Sequence, residues 1–104
     1  MVSAKESVEA QVAAAPVGVY SKTYCPHSTA TKMLLTQLGV RYKVVELDQI
    51  PDGSEQQHAL EQLTEQKTVP NVFVWGKSIG GNADVQDLHK DGKLEPLLKQ
   101  HGGL

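Results

Sequence analysis

The sequence predicts an α/β protein, with one four-stranded mixed sheet flanked by helices on both faces. A strand, a helix and a second strand follow one another in the first half of the chain, and this order makes a parallel unit. The second half contains a tight hairpin, which adds two antiparallel strands. The chain has 104 residues, of which 39% are apolar and 21% are charged. We therefore expect one domain over residues 1–104 with a single hydrophobic core.

The first half of the chain supplies two helices and the parallel strands. The predicted elements are, in order, a helix over residues 3–14, a strand over 17–20, a helix over 26–38 and a strand over 42–47. Ser3 can cap the first helix and Pro16 ends it, while Gly18 indicates a weak point or a close backbone approach in the first strand. Pro26 begins the second helix, since proline is favoured at the first helical position, and Gly39 ends it. The expected buried face of this helix consists of Ala30, Met33, Leu34 and Leu38.

The second half supplies the hairpin and three further helices. A helix opened by Asp52-Gly53-Ser54 is predicted to run to about residue 64. Its expected buried residues are Ala59, Leu60 and Leu63. Strands over residues 71–75 and 78–80 are expected to join at a Gly76-Lys77 turn. A helix from Asn82 that stops at Gly92 and a last helix over about 94–101 complete the chain.

Composition excludes several classes of function. The net charge is near −2, no basic tail or stripe is present, and the five aromatic residues are scattered, so nucleic acid is not an expected partner. No apolar run has membrane-spanning length, and Glu6 and Glu9 lie where a signal or transit peptide avoids acids. One cysteine rules out an internal disulfide framework. We expect a cytoplasmic protein with no membrane partner.

The single cysteine, Cys25, follows the first strand and precedes the proline that begins the second helix. At the helix N-cap its sulfur would meet unpaired backbone N–H groups and the positive end of the helix dipole. Both favour the thiolate, and Lys22, three residues earlier, adds positive charge. A free cysteine is most often a small buried hydrophobe, but the succession of strand, cysteine, proline and helix favours a nucleophile.

Four segments resemble glutaredoxin in matching order, from about residue 8 across nearly the whole chain. They are SKTYCPHS, QKTVPNVFV, GKSIGGNAD and LHKDGKL. The resemblance is to the dithiol branch, whose active site is Cys-Pro-Tyr-Cys or a close variant. In the monothiol branch, glycine would replace Pro26 and a Trp-Pro pair would follow the later Gly-Gly. The resemblance implies a thioredoxin-like fold and a monomeric, glutathione-dependent thiol–disulfide oxidoreductase, or thioltransferase.

Ser28 stands where the dithiol branch has its resolving cysteine. A hydroxyl is close to a thiol in size, but it cannot form or resolve a disulfide. We hypothesise that a cysteine was replaced at this position, and the sequence alone does not distinguish an engineered serine from a natural one. The alternative is an ordinary serine of the first helical turn that donates a local hydrogen bond. In either case Cys25 would act alone.

The resemblance also implies a glutathione-binding groove around Cys25. Its expected members are Lys22, Tyr24, Cys25, His27, Gln66, Thr68, Val69, Pro70, Gly81, Ala83 and Asp84. In this family the peptide bond before Pro70 is cis, and the N–H and C=O of Val69 pair with the cysteinyl unit of the ligand. The helix start after Gly81 would receive the γ-glutamyl carboxylate. Asp84 would receive the ammonium group, cap the helix, or do both.

Polar side chains would hold the other end of the ligand. Lys22 and Gln66 carry over as contacts to the glycyl carboxylate, with Lys67 a weaker candidate. Tyr24 would line the groove, unless it is only a packed aromatic. His27 replaces the usual tyrosine of the family and would either assist at the site or remain an exposed helix-start residue. The other three histidines lack metal-ligand spacing, so no metal is expected. They are His58, His89 and His101.

The implied reaction is the reduction of protein–glutathione mixed disulfides through Cys25. Glutathione would be the cosubstrate, and the partners would be glutathionylated proteins, low-molecular-weight disulfides and, through glutathione disulfide, glutathione reductase. Two alternatives from other classes stay open. One is a binding module in which two chains bridge an iron–sulfur cluster through Cys25 and two glutathiones, which Pro26 disfavours. The other is a structural domain without a reactive thiol.

Overall fold

The computed structural model describes residues 3–100. Its elements are α1 (Ala4–Ala13), β1 (Val17–Ser21), α2 (Pro26–Gln37), β2 (Lys43–Glu46), a short 3-10 helix (Leu47–Gln49), α3 (Gly53–Thr64), β3 (Asn71–Val74), β4 (Lys77–Gly80), α4 (Asn82–Lys90) and α5 (Leu94–Gln100). The predicted order of helices and strands is confirmed within these residues. The predicted end of the last helix, at His101, lies outside them. No helix of this part of the chain is long and apolar enough to cross a membrane.

The strands form one mixed sheet in the order β2-β1-β3-β4. β1 and β2 are parallel, whereas β3 runs antiparallel to both β1 and β4. The predicted four-stranded mixed sheet is therefore confirmed. Because of these directions, the C-terminal ends of β1 and β4 meet the N-terminal end of β3 at one end of the sheet. Tyr20 near the end of β1 accordingly pairs with Asn71, the first residue of β3.

Apolar side chains pack on both faces of the sheet. One cluster, which includes residues of α2, α4 and α5, consists of Val17, Val19, Leu34, Leu35, Val40, Val72, Val74, Val85, Leu94 and Leu98. The other, which includes residues of α1 and α3, consists of Val8, Tyr20, Leu47, Ala59, Leu60 and Phe73. Tyr20 meets Phe73 edge to face, with ring centroids 5.9 Å apart, and burial raises the pKa of Tyr20 to about 12. Both faces of β1 are therefore covered, which explains why its residues are mostly apolar.

Two helix residues that were predicted to be buried are exposed. Met33 in α2 retains 57% of its accessible surface, and Leu63 in α3 retains 39%. The residues of α2 that are buried are Ser28, Thr31, Leu34 and Leu35. In α3 the buried face includes Gln56. The prediction was wrong because polar side chains occupy core positions in both helices, so apolar residue type alone did not identify the buried face.

The hairpin turns one residue earlier than predicted. Trp75 and Gly76 form the two-residue turn, with φ of 53° and 80°, whereas the prediction placed the turn at Gly76-Lys77. Turns of this length favour positive φ at their central residues, because that matches the twist of the strands. Trp75 adopts this conformation without being glycine, and its N–H donates to the Pro16 carbonyl at 2.7 Å. Trp75 is therefore an exposed turn residue, while Phe73 belongs to the core as expected.

Two glycines differ in the space around them. A Cβ added to Gly53, at the start of α3, would lie 1.8 Å from the carbonyl oxygen of Leu47. A Cβ added to Gly18, in β1, has no atom of residues 3–100 within 4 Å, so the close backbone approach considered from the sequence is absent there. The packing therefore excludes a side chain at Gly53 and permits one at Gly18.

The Gly53→Ala substitution is expected to lower the free energy of unfolding by about 2–3 kcal/mol, because the start of α3 must move away from Leu47. The matched Gly18→Ala substitution is expected to raise it by about 0.5 kcal/mol, because alanine fits the strand and restricts the unfolded chain. Urea denaturation of both variants and the parent protein measures these differences. Equal stability of the two variants would contradict the packing at the start of α3.

Candidate active site

Cys25 is the N-cap residue of α2, as predicted from the sequence. Its extended backbone, with φ of −86° and ψ of 118°, leads into Pro26 at the first helical position. The Cys25 carbonyl accepts a helical hydrogen bond from the Thr29 N–H at 3.0 Å. The thiol is free and the residue is partly exposed. The sulfur is therefore accessible at the N-terminal end of a twelve-residue helix.

The pKa of the Cys25 thiol is lowered. Burial acts in the opposite direction and raises this pKa, but hydrogen bonds from the Ser28 hydroxyl, the Ser28 N–H and the His27 N–H outweigh it. The positive charge of Lys22 lowers the pKa further. Because Pro26 has no N–H, the first backbone donors of the helix are those of His27 and Ser28. The helix start therefore increases the share of the nucleophilic thiolate.

Ser28 lies fully buried in the first turn of α2. Its Oγ has no hydrogen-bond partner among residues 3–100 in the resting geometry, so the local hydrogen bond considered from the sequence is absent. A buried hydroxyl without another acceptor can turn to the Cys25 sulfur as the thiolate forms, and this is how it lowers the pKa of the thiol. Ser28 therefore supports the thiolate, although it cannot form a disulfide with it.

Val69 and Pro70 lie directly opposite the thiol. The peptide bond between them is cis, as the resemblance implied. The Cys25 thiol donates to the Val69 carbonyl, with 3.6 Å between sulfur and oxygen. This contact spans 44 positions of sequence and joins the loop after β1 to the loop before β3. The structure thus brings the thiol next to backbone polar groups that precede a strand.

A groove of about 700 Å³ surrounds the thiol. All eleven residues predicted for the glutathione site line it, and so do three others. The lining residues are Lys22, Tyr24, Cys25, His27, Gln57, Gln66, Lys67, Thr68, Val69, Pro70, Gly81, Asn82, Ala83 and Asp84. The groove is within the size range of pockets that bind small molecules. The structure therefore places the predicted residues together, around the predicted nucleophile.

The start of α4 forms one side of this groove. Gly81 is the N-cap of α4, and its N–H donates to the Asp84 carboxylate at 3.0 Å. Asp84 therefore caps the helix, which was one of the two roles considered for it. Asn82 Oδ1 accepts hydrogen bonds from the Thr31 hydroxyl at 2.8 Å and from Gln86 at 3.2 Å. The contact with Thr31 ties the start of α4 to α2, the helix that carries the thiol.

The structure adds to the sequence analysis at three groove residues. Gln66, predicted as a carboxylate contact, already donates its amide nitrogen to the carbonyls of Thr68 and Pro70 at 2.9 and 2.8 Å. Gln57 and Asn82 line the groove but were not predicted. Gln57 Nε2 donates to the Lys67 carbonyl at 2.9 Å. No local motif marks Gln57, because it joins the groove only through the return of the loop that follows α3.

The loop that carries Lys22 is held by Asp48 in the 3-10 helix. The Thr23 N–H donates to Asp48 Oδ1 at 3.0 Å, and the Thr23 hydroxyl donates to Asp48 Oδ2. Hydrogen bonds from the Thr23 hydroxyl, then from the Thr23 N–H, lower the pKa of Asp48 to about 2. The ionised carboxylate therefore anchors the segment between β1 and Cys25.

A second groove, of about 620 Å³, lies against α1 and β2. Its lining residues include Gly18, Val44, Val45, Ile50 and Pro51, and the chain's single cysteine is not among them. Within residues 3–100, no group of three or more histidine, cysteine and acidic side chains could hold a metal ion. Of these two grooves, the one around Cys25 is therefore the one that contains the thiol nucleophile.

A thiol at the start of the helix after the first strand of a mixed sheet is the arrangement of the thioredoxin-like thiol–disulfide oxidoreductases. Within that class, the glutaredoxin family profile matches residues 17–79. The chain belongs to the glutaredoxin family and is a glutaredoxin oxidoreductase. The resemblance drawn from its sequence motifs is confirmed at the level of the family and of the thioredoxin-like fold.

Plant proteins are among its relatives. Over 104 residues, all of this chain, it is 48% identical to a glutaredoxin of Vernicia fordii, of which it covers 96%. It is 51% identical over the same length to glutaredoxin-C6 of Oryza sativa subsp. japonica, of which it covers 89%. Its structure is similar to that of a buckwheat glutaredoxin–glutathione complex, with a TM-score of 0.95 and 48% identity over 97% of this chain and 92% of that one.

The Ser28→Ala substitution is expected to raise the pKa of Cys25, because it removes the buried hydroxyl that supports the thiolate. The rate of alkylation by iodoacetamide, measured against pH, reports this pKa. Thr29→Ala is the matched control, since the Thr29 hydroxyl donates to the Cys25 carbonyl and not to its sulfur. An alkylation profile unchanged by Ser28→Ala would show that the Ser28 hydroxyl does not lower the pKa of Cys25.

Asp48 is expected to make stability depend on pH between about 4 and about 2. Its pKa of about 2 in the folded state lies below the usual value of about 3.9. The unfolded chain therefore binds more protons in this window, and the stabilisation from Asp48 is lost as the pH falls through it. Urea denaturation against pH should show a shallower loss for Asp48→Asn than for the parent protein. Thr23→Ser keeps both donors and should retain the parent slope. An Asp48→Asn slope as steep as that of the parent protein would contradict the anchor.

Proposed function

We propose that this glutaredoxin reduces protein–glutathione mixed disulfides through Cys25 by a monothiol mechanism. The observation that carries the proposal is the contact between the thiol and the Val69 carbonyl inside the groove. In this position the sulfur lies beside backbone groups that can pair with a short extended peptide. The similarity to a buckwheat glutaredoxin solved with glutathione supports glutathione as that peptide.

The reaction proceeds in two exchanges. The Cys25 thiolate attacks the glutathione sulfur of the mixed disulfide, and the protein substrate leaves as a thiolate that takes up a proton. A second glutathione, as its thiolate, then attacks the glutathione sulfur bound to Cys25. Cys25 leaves as thiolate and glutathione disulfide forms, so one glutathione thiol is consumed in each turnover and the disulfide bond passes from the protein substrate to glutathione. A lowered pKa makes Cys25 a good leaving group in this second exchange.

In this proposal, different groove residues bind different parts of glutathione. The N–H and C=O of Val69 pair with its cysteinyl unit, and the N-terminal N–H groups of α4 at Ala83 and Asp84 receive its γ-glutamyl carboxylate. Lys22 receives the glycyl carboxylate, and Lys67, which also lines the groove, is a weaker candidate for this contact. Other residues line the site without a separate chemical role in this proposal, among them Tyr24, His27, Thr68, Pro70 and Gly81.

With Ser28 in place of a resolving cysteine, the chain has only this one-thiol route. The partners in the proposal are glutathionylated proteins and low-molecular-weight disulfides. Glutathione reductase takes part indirectly by recycling glutathione disulfide, and no metal takes part. We place the protein in the cytoplasm, which agrees with a chain that needs no internal disulfide. We propose that it acts as a monomer.

The protein is expected to release glutathione from a glutathionylated peptide but not to reduce insulin disulfides at a comparable rate. Reduction of insulin disulfides by the dithiol route needs two thiols, and this chain has one. The two assays are run in parallel with glutathione and glutathione reductase. Ser28→Cys is expected to raise insulin reduction at least tenfold while deglutathionylation continues.

The control for this pair of assays is Cys25→Ser, which should abolish both activities. Insulin reduction by the parent protein as fast as by Ser28→Cys would refute the one-thiol route. Deglutathionylation that survives in Cys25→Ser would remove Cys25 from the mechanism.

A further inference from the structure

Gln66 lies just beyond the end of α3, where the chain reverses. Glu65 ends the helix in a left-handed conformation, with φ of 62°. The backbone N–H of Gln66 then donates to the Thr64 hydroxyl at 3.3 Å. This reversal directs the chain back toward β3 and places the Gln66 side chain over the loop that contains Val69.

The amide of Gln66 has two N–H groups, and the structure accounts for both. Nε2 donates to the Thr68 carbonyl at 2.9 Å and to the Pro70 carbonyl at 2.8 Å. Both partners are carbonyl oxygens, which only accept, so the amide nitrogen must face the loop. The atom that remains, Oε1, cannot donate to a carboxylate. Gln66 therefore lacks the donor that a direct contact with the glycyl carboxylate needs.

The two carbonyls that Gln66 binds flank the one that faces the thiol. Thr68 and Pro70 direct their carbonyls to Gln66, whereas the carbonyl of Val69 accepts the hydrogen bond from Cys25 at 3.6 Å. Gln66 thus binds one side of the loop and leaves the Val69 side open to the groove.

The same amide also lies next to the start of α4. A Cβ added to Gly81 would be 3.3 Å from the Pro70 carbonyl oxygen and 3.6 Å from Gln66 Nε2. The loop before β3, the Gln66 amide and the N-cap of α4 therefore pack directly on one another. A shift of this loop would therefore move two parts of the proposed ligand-binding site, Val69 and the start of α4.

We propose that Gln66 is a positioning residue, which holds the loop from Thr68 to Pro70 so that Val69 presents its N–H and C=O to the glutathione unit of the substrate. This inference rests on the proposed function. It assigns to Gln66 an effect on substrate binding that is transmitted through Val69, and no contact with a carboxylate of the ligand.

The test compares Gln66→Met, which keeps the length of the side chain and removes both donors, with Gln66→Glu, which replaces them with acceptors. The KM for a glutathionylated peptide is expected to rise about tenfold in Gln66→Met, as the loss of two neutral hydrogen bonds implies, and further in Gln66→Glu. The kcat and the rate of alkylation of Cys25 should stay within about twofold of the parent values. Gln62→Met is the matched control, since Gln62 is exposed on α3 away from this groove.

A second substrate separates positioning from direct contact. A peptide that carries γ-glutamylcysteine in place of glutathione has no glycyl residue, so a direct contact between Gln66 and the glycyl carboxylate would make the KM penalty of Gln66→Met disappear. Positioning predicts that the penalty remains. An unchanged KM in Gln66→Met, a penalty that disappears with the shorter substrate, or a fall in kcat and alkylation rate as large as the rise in KM would each overturn the inference.

The failure of the inference is distinguishable from that of the proposed function. If the parent protein itself does not release glutathione from the peptide, the proposed function fails. If the parent is active and the KM of Gln66→Met equals that of Gln62→Met, only the role of Gln66 fails. The amide resonance of Val69 provides a check on folding, since positioning predicts that it shifts in Gln66→Met while resonances of the core strands do not.

Discussion

The site depends on one interaction, between the sulfur of Cys25 and the N-terminus of α2. A thiol in water is mostly protonated at neutral pH, and burial would make it more so. Backbone N–H groups of His27 and Ser28, the Ser28 hydroxyl and the charge of Lys22 reverse that tendency. Without the lowered pKa, only a small share of this thiol would be ionised at neutral pH.

The mixed sheet explains why the other parts of the site lie beside this sulfur. β3 runs antiparallel to β1 and β4, so the end of β1, the start of β3 and the end of β4 meet at one end of the sheet. The loop after β1 carries Cys25, the loop before β3 carries Val69, and the turn after β4 carries Gly81. Three segments that are distant in sequence are thus brought together by strand direction, and side chains such as Gln66 and Asp48 then hold their loops in place.

Most of the fold could be predicted from the sequence, because periodicity, proline and glycine mark the elements. The membership of the groove was implied by the resemblance of four segments to glutaredoxin. The failures have physical causes. Met33 was assigned to the core because buried Ser28 and Thr31 of the same helix are polar, and residue type does not show which face of a helix meets a neighbour. Gln57 and the use of the Gln66 amide were missed because both depend on where a loop returns, which no local pattern records.

The central claim is that glutathione occupies the groove around Cys25. Mapping of backbone amide chemical shifts after reaction with glutathione disulfide tests it directly, because the molecule has a second groove of similar volume. The account predicts the largest changes at Val69, Gly81 and Asp84, and their reversal by dithiothreitol. Changes concentrated around Gly18 and Gln56 in the second groove, or no changes at all, would contradict it.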